Sequence, residues 1–329
     1  MIASQFYVCA NGITRYGLSH GAIKGVLVTV PPPDEQDAIV RFLDWATARL
    51  DRAIRIKRKL ISLLNEQKQA IIHRAVTFGL DPNVPLKRSG IDWLPEMPAH
   101  WETRRNSRLF TERIERGRFG LPILMVSLRT GITEGSAFDA DGRPKRLLAD
   151  STGYKFAAHG DVAYNMMRMW QGAVGTVPKD GLISPAYVVA RPRPGAFSRY
   201  YELLFRTDDC KNEVNRMSRG IVSDRNRLYW DQFKRLVVPF PSFEEQKRIV
   251  LQVDAETSSL NSAISRISSE VDILLEYRTC LIADVVTGKF DVRGIEIPTE
   301  EITEPAEPLE SAEFELDEDE LVEEYADAD

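Results

Sequence analysis

The chain has 329 residues, 43% of them hydrophobic, enough for one or two domains with a buried core. No apolar run approaches the roughly 20 residues of a membrane span, and Met1 to Ala10 lack the basic-then-apolar pattern of a signal peptide. Three widely separated cysteines, Cys9, Cys210 and Cys280, give neither a disulfide framework nor a metal pair, so a reducing, cytoplasmic setting is expected, with no membrane. The net charge of −6 is segregated: residues 300–329 hold 15 acidic residues and no Lys or Arg, which leaves +9 on the rest. Between Trp101 and Phe240, 24 Lys and Arg stand against 15 Asp and Glu. A basic middle attracts a polyanion such as duplex DNA, although a solvated basic surface has the same composition.

In chain order, residues 1–30 form a short leading segment in which Arg15 and Leu18 match Arg225 and Leu228, 210 residues later. Residues 31–81 then read as one long helix, and its pattern returns once, at the same spacing, over residues 241–291. Pro31-Pro32-Pro33-Asp34-Glu35-Gln36 opens the first copy and Pro241-Ser242-Phe243-Glu244-Glu245-Gln246 the second. From Gln36 and Gln246 onward the copies align without a gap, through pairs such as Ile39/Ile249, Val40/Val250, Ile72/Ile282 and Val76/Val286.

With Thr47, Lys57 and Lys68 between them, Leu43, Leu50, Ile54, Ile61, Leu64 and Ile71 recur at alternating spacings of four and three in the first copy. Val253, Leu260, Ile264, Ile267, Val271, Leu274 and Leu281 do so in the second, with Lys57, Lys68 and Arg278 at polar places in the same series. That spacing makes a seam for a partner helix. Ser242 with Glu245 has the pattern of a capping box, and neither Pro nor Gly interrupts a copy before Gly79 and Gly288. Matched seams predict that the two helices pair with each other as an antiparallel coiled coil, whereas two unrelated core helices are the competing reading.

Residues 82–240, between the helices, predict an α+β globular domain. Ile123 to Leu128, Asp161 to Tyr164 and Ala186 to Ala190 read as strands, Arg199 to Arg206 as helix and Gln232 to Val238 as strand. Polar residues cluster where loops are expected: Arg129; Asn165, Arg168 and Gln171 behind a strand; Arg219, Ser223, Arg225 and Arg227 in a turn-rich stretch. Arg bridges O6 and N7 of guanine, and Asn or Gln bridges N6 and N7 of adenine, so these eight are the candidate DNA-binding residues. Trp170 and Tyr187 fit either a stacking platform or the core, and Arg113, Arg116 and Arg118 either a solvated face or phosphate contacts. No catalytic or metal residues are expected: there is no phosphate-binding glycine loop, the four histidines are scattered, and no acidic cluster accompanies a Lys.

Three further stretches join the helix openings to carry a family resemblance. They are Ser89-Gly90-Ile91-Asp92-Trp93-Leu94-Pro95-Glu96-Met97-Pro98-Ala99-His100-Trp101, Gly160-Asp161 with Asn165 to Gly172, and Gly181 to Tyr187. In this order they resemble the DNA-specificity subunit of type I restriction-modification systems, from the first residues to about Asp291. The resemblance implies target-recognition domains alternating with two long helices that act as a ruler between the halves of a split DNA site. It implies duplex DNA, methyltransferase subunits and a restriction subunit as partners. No cofactor is expected on this chain, S-adenosylmethionine belonging to the methyltransferase. The chain itself is then non-catalytic. Against that pattern, residues 1–30 resemble the remnant of a first recognition domain and residues 82–240 a complete one, so pairing with a second copy or another specificity subunit would restore a split site. Residues 292–329 read as an acidic disordered tail, either a non-functional extension or a DNA mimic. A truncated, regulatory chain acting as a protein-interaction adaptor is the alternative function.

Overall fold

An apolar stripe on a long helix has to be covered, and the two stretches that carry one form the two longest helices among the described residues. The computed structural model describes residues 20–25, 30–128, 130–135, 153–219 and 226–298. Most of the leading segment 1–30, and residues 299–329 of the predicted 292–329 tail, lie outside the described residues, while the first part of that tail is described and Val292 is buried beside Phe42. Helix α1 spans Pro33–Phe78 and helix α6 spans Phe243–Val286. Each is followed by a glycine in the left-handed region, Gly79 (φ 79°) directly and Gly288 (φ 74°) two residues on, where a side chain would be strained and the helix stops.

The chain divides into two compact units, one taking the described residues up to Ile61 with those from Arg266, the other Ser62–Ser265. In the first, Asp51 lies 3.1 Å from Arg278 and Lys57 2.5 Å from Glu270. Phe42, Ala46, Val285 and Val292 close its core, with the Phe290 ring 5.8 Å from that of Phe42. In the second unit, Lys68 Nζ donates to Asn261 Oδ1 at 2.8 Å. Residue numbers rise along one helix as they fall along the other, so the pair is antiparallel. The seam residues Leu43, Leu50, Ile54, Ile61, Leu64, Ile71, Val253, Leu260, Ile264, Ile267, Val271, Leu274 and Leu281 are all buried or half-buried, whereas Val40, Ile56 and Ile273 point outward.

Two of these cross-helix contacts are copies of one another. Arg278 is the repeat mate of Lys68 and Asn261 that of Asp51, and both pairs sum to residue number 329. Such reciprocity marks an isologous pairing, here between two halves of one chain. It also selects the direction. A parallel pairing in the register of the repeat would place Lys68 against Arg278, two cations inside an apolar seam, which costs several kcal/mol per unpaired charge on the order expected for buried ions.

The second unit adds a globular α+β domain. A hairpin of β1 (Leu86–Ile91) and β2 (Leu94–Pro98) precedes β3 (Glu102–Arg105), which pairs with β12 (Val237–Phe240), the last strand before α6. After α2 (Asn106–Leu109) come β4 (Phe110–Glu112), the hairpin β5 (Leu124–Ser127) with β6 (Gly131–Glu134), then β7 (Lys155–Ala157), β8 (Val162–Asn165) and β9 (Val174–Thr176). Strand β10 (Gly181–Ile183) pairs with β7, and β11 (Tyr187–Pro192) leads into helices α3 (Ser198–Phe205), α4 (Asp208–Met217) and α5 (Trp230–Phe233). The central antiparallel sheet has the order β4-β11-β8-β9.

Both faces of this sheet are covered, which is why its strands read as apolar runs. Val162, Tyr164, Val188 and Ala190 face a core shared with Phe110, Tyr201, Phe205 and Phe233, while Ala163, Tyr187 and Val189 face a second core with Leu124 and Val126. The predicted strand over Gln232 to Val238 is corrected: the turn of α5 occupies its first two residues, and β12 begins only at Val237 because it must pair with β3.

Glu245 and Gln246 fasten the start of α6 to this domain. Trp101 Nε1 donates to Glu245 Oε1 at 2.9 Å, with His100 Nε2 3.1 Å from the same carboxylate. The buried Gln246 amide donates to Gly195 O (3.0 Å) and Pro241 O (2.9 Å) and accepts from Phe197 N–H (2.8 Å). The capping box is thus half-formed: Ser242 Oγ accepts from Glu245 N–H at 3.3 Å, but the Glu245 carboxylate serves Trp101 instead of returning to Ser242. The mate Gln36 makes the matching bond to Pro31 O at 2.8 Å from an exposed position.

Ile54 is fully buried in the seam, so Ile54→Ala is expected to destabilise the fold by about 2–5 kcal/mol, read from urea unfolding. Glu245→Ala leaves the buried Trp101 indole N–H unpaired and is expected to cost about 1–3 kcal/mol. The repeat mate Glu35→Ala serves as the control, expected to move stability by less than about 0.5 kcal/mol in the same assay.

Candidate nucleic-acid interface

The register of the central sheet gathers several loops at one end. Asn165, the last residue of β8, pairs with Tyr187, the first of β11, and β4 runs parallel to β8 because both are antiparallel to β11. The chain therefore leaves β4 after Glu112 and β8 after Asn165 in the same direction, two strands apart and three residues out of step, a separation on the order of 14 Å. Lys155 Nζ donates to Tyr187 O at 2.6 Å and ties β7 to this end. Burial lowers the Lys155 pKa, and burial raises that of neighbouring Glu112.

The β8–β9 loop carries three candidate residues. Asn165 is buried, its Oδ1 accepting from Met167 N–H at 2.8 Å, so its side chain shapes the turn. Arg168 is half-buried, its carbonyl oxygen taking the N–H groups of Gln171 (3.0 Å) and Ala173 (3.1 Å). Gln171 is exposed at the rim. Met169 anchors the loop in the core, and Trp170 packs against the same core while its Nε1 donates to Met167 O at 2.8 Å. Trp170 and the buried Tyr187 are core residues and not stacking platforms.

A second loop meets this one through Leu228 N–H, which donates to Met166 O at 2.8 Å. Arg219 and Arg227 face each other across a two-bond bridge (3.0 and 2.9 Å), Arg219 exposed and Arg227 half-buried. Asn226 Nδ2 donates to Asn215 Oδ1 at 2.8 Å and braces the bridge against α4. Arg129, Ser223 and Arg225 lie outside the described residues.

Arg113 departs from both expectations for it. It is a largely buried structural cation, its Nε donating to Asp161 Oδ2 at 2.6 Å and its Nη1 to Glu115, while Asp161 also accepts from Ala158 N–H at 2.9 Å. The hydrogen bond to Asp161 raises its pKa. Arg118 stacks over the Phe156 ring at 3.9 Å and Arg116 is exposed beside it, both on the β4 loop of the same sheet end. Nothing in the sequence marks Lys155 and Phe156 as members of this site, since only the β7 register brings them there.

What remains is a rim of cations and amides on short, internally bonded loops, suited to grip phosphates and reach base edges. Among the described residues no group of three or more His, Cys, Asp or Glu could hold a metal ion. Burial pushes the Cys210 thiol up, away from nucleophile character. No described helix is long and apolar enough to cross a membrane.

No family model and no curated protein matches the sequence. Solved structures do match the fold. A chain from work on the structural basis of complex assembly and conformational transition of the type I R-M system aligns with a TM-score of 0.59 at 17% identity, over 88% of this chain and 68% of that one. This chain has the fold of a type I restriction-modification component. The HsdS subunit from Thermoanaerobacter tengcongensis aligns over the same shares at 17% identity, with a TM-score of 0.42. The S subunit of the type I system from M. genitalium aligns at 13% identity with a TM-score of 0.38, over 84% of this chain and 68% of that one.

The β8–β9 loop of this restriction-modification fold turns at Gly172, with φ 97° and the Lys211 side chain 3.3 Å from where a Cβ would sit. Gly172→Val is expected to cost about 1–3 kcal/mol through backbone strain, measured as a drop in Tm, and to weaken any ligand held by the neighbouring Arg168 and Gln171.

Proposed function

We propose that this chain is a specificity subunit of a type I restriction-modification complex, reading one half of a split site in duplex DNA. The observation that carries this reading is the convergence of cationic loops on one end of a sheet, in a domain bracketed by a self-pairing helix repeat. Arg168, Gln171, Arg219 and Arg227 would supply phosphate and base-edge contacts, together with Arg129, Ser223 and Arg225. Asn165 would act by fixing the loop. The exposed outer face of the helix pair, with Ile56, Leu60, Ile273 and Tyr277, would dock methyltransferase subunits, and the restriction subunit would join that complex. Adenine methylation would use S-adenosylmethionine held by the methyltransferase, with no reaction on this chain. The 15 acidic residues of the tail favour a second reading, an adaptor that binds protein partners while its tail shields the basic domain.

Fluorescence anisotropy with a labelled random duplex separates the two. The full chain and a variant lacking residues 299–329 are both expected to bind. For roughly four phosphate contacts, affinity is expected to fall about a hundredfold between about 50 and about 200 mM salt. If neither form binds at low salt, the DNA-reading function is wrong and the adaptor reading replaces it.

A further inference from the structure

Phe119 is 97% exposed and Ile114 81%, the two most exposed large apolar side chains among the described residues, and both lie on the loop that leaves β4. That loop is not slack. On one side Gly117 N–H donates to Tyr154 O at 2.7 Å and Phe156 N–H to Glu115 O at 2.9 Å, around a bridge between Arg116 and Lys155. On the other, Leu182 N–H donates to Pro122 O at 2.8 Å. Residues 118–121 are a short tip between two fixed footings, and Gly120 (φ 84°) turns the chain at its crest.

Charge surrounds the exposed ring. Arg118 is held down on Phe156 at 3.9 Å and ion-paired to Glu115 at 3.0 Å, so it stiffens the tip, while Arg116 stays exposed. A protein-docking patch would be flat and broadly apolar. Here a single aromatic projects from a rigid, cationic tip, at the sheet end that carries Arg168 and Gln171. Apolar wedges of this kind part the base steps of a duplex while neighbouring cations hold its phosphates.

We propose that the 118–121 tip inserts the Phe119 ring into the base stack of bound duplex DNA, with Arg116 on an adjacent phosphate. This rests on the DNA-binding reading above and adds a mode of engagement to it: specificity through the ease of opening a base step, beside the contacts made by the other loops.

The test uses the full chain, alone and with its methyltransferase partner. A binding sequence is first selected from a randomised duplex library, and 2-aminopurine is then placed at successive positions of it. The wild-type chain is expected to raise the fluorescence at one base step. Phe119→Ala, at a position that contributes nothing to the core, is expected to keep its circular dichroism, bind about tenfold more weakly and lose that signal. Phe119→Leu is expected to restore most of it. Arg116→Ala is expected to lower the salt slope by about 0.9 and keep the signal. A signal unchanged in Phe119→Ala, or a Phe119→Ala variant that binds DNA normally but no longer captures the methyltransferase, overturns the wedge and leaves the DNA-reading function standing. Selection of no DNA by either form of the sample overturns both.

Discussion

The seam between α1 and α6 is the constraint on which the rest depends. Its apolar positions supply the attraction, but its polar positions decide the geometry. Asp51 meets Arg278 and Lys68 meets Asn261, and these are the same contact made twice by a duplicated helix. Removing either cation's partner would leave a charge in a partly dry seam, which is why pairs of this kind specify direction and register better than they add stability. A leucine-only seam would bury as much surface and tolerate several registers.

A small number of bonds fastens the helix ends to the globular domain. Strand β12 runs into α6, and the Glu245–Gln246 pair locks the junction by engaging Trp101, Phe197 and Gly195. The C-terminal turns of α1 join the same core, with Val76 fully buried and its carbonyl oxygen accepting from Tyr200 Oη at 2.8 Å. Both helices thus enter the domain that carries the loops. The loops are braced as well: Arg113 on Asp161, Met169 in the core and the backbone bridge between Arg219 and Arg227 fix the path of the chain there.

Much of this was legible because it is periodic. The helices, their seam and the repeat are local patterns, and a chain with such a stripe has few ways to bury it. Strands β5, β8 and β11 were legible as apolar runs between turn residues. The site was less so. The sequence does not show that the Asn165 oxygen closes a turn, and Arg113 reads as a surface cation until Asp161, 48 residues away, is placed against it. Composition at a loop does not reveal which polar groups the fold has already used.

The repeat separates what sequence settles from what tertiary structure settles. Glu35-Gln36 and Glu245-Gln246 are identical, and both glutamines bond back to the proline two residues ahead of their helix. Val40 and Val250, and Val76 and Val286, are likewise identical pairs. Yet Val250 is 4% exposed and Val40 55%, while Val76 is fully buried and Val286 50% exposed. The sequence by itself determined the helices, their common seam and the cationic domain between them, because short-range periodicity and charge act through neighbouring residues. Which copy of each pair becomes core, and which loops share one end of a sheet, was decided only by strand pairings and packing between residues far apart in the chain.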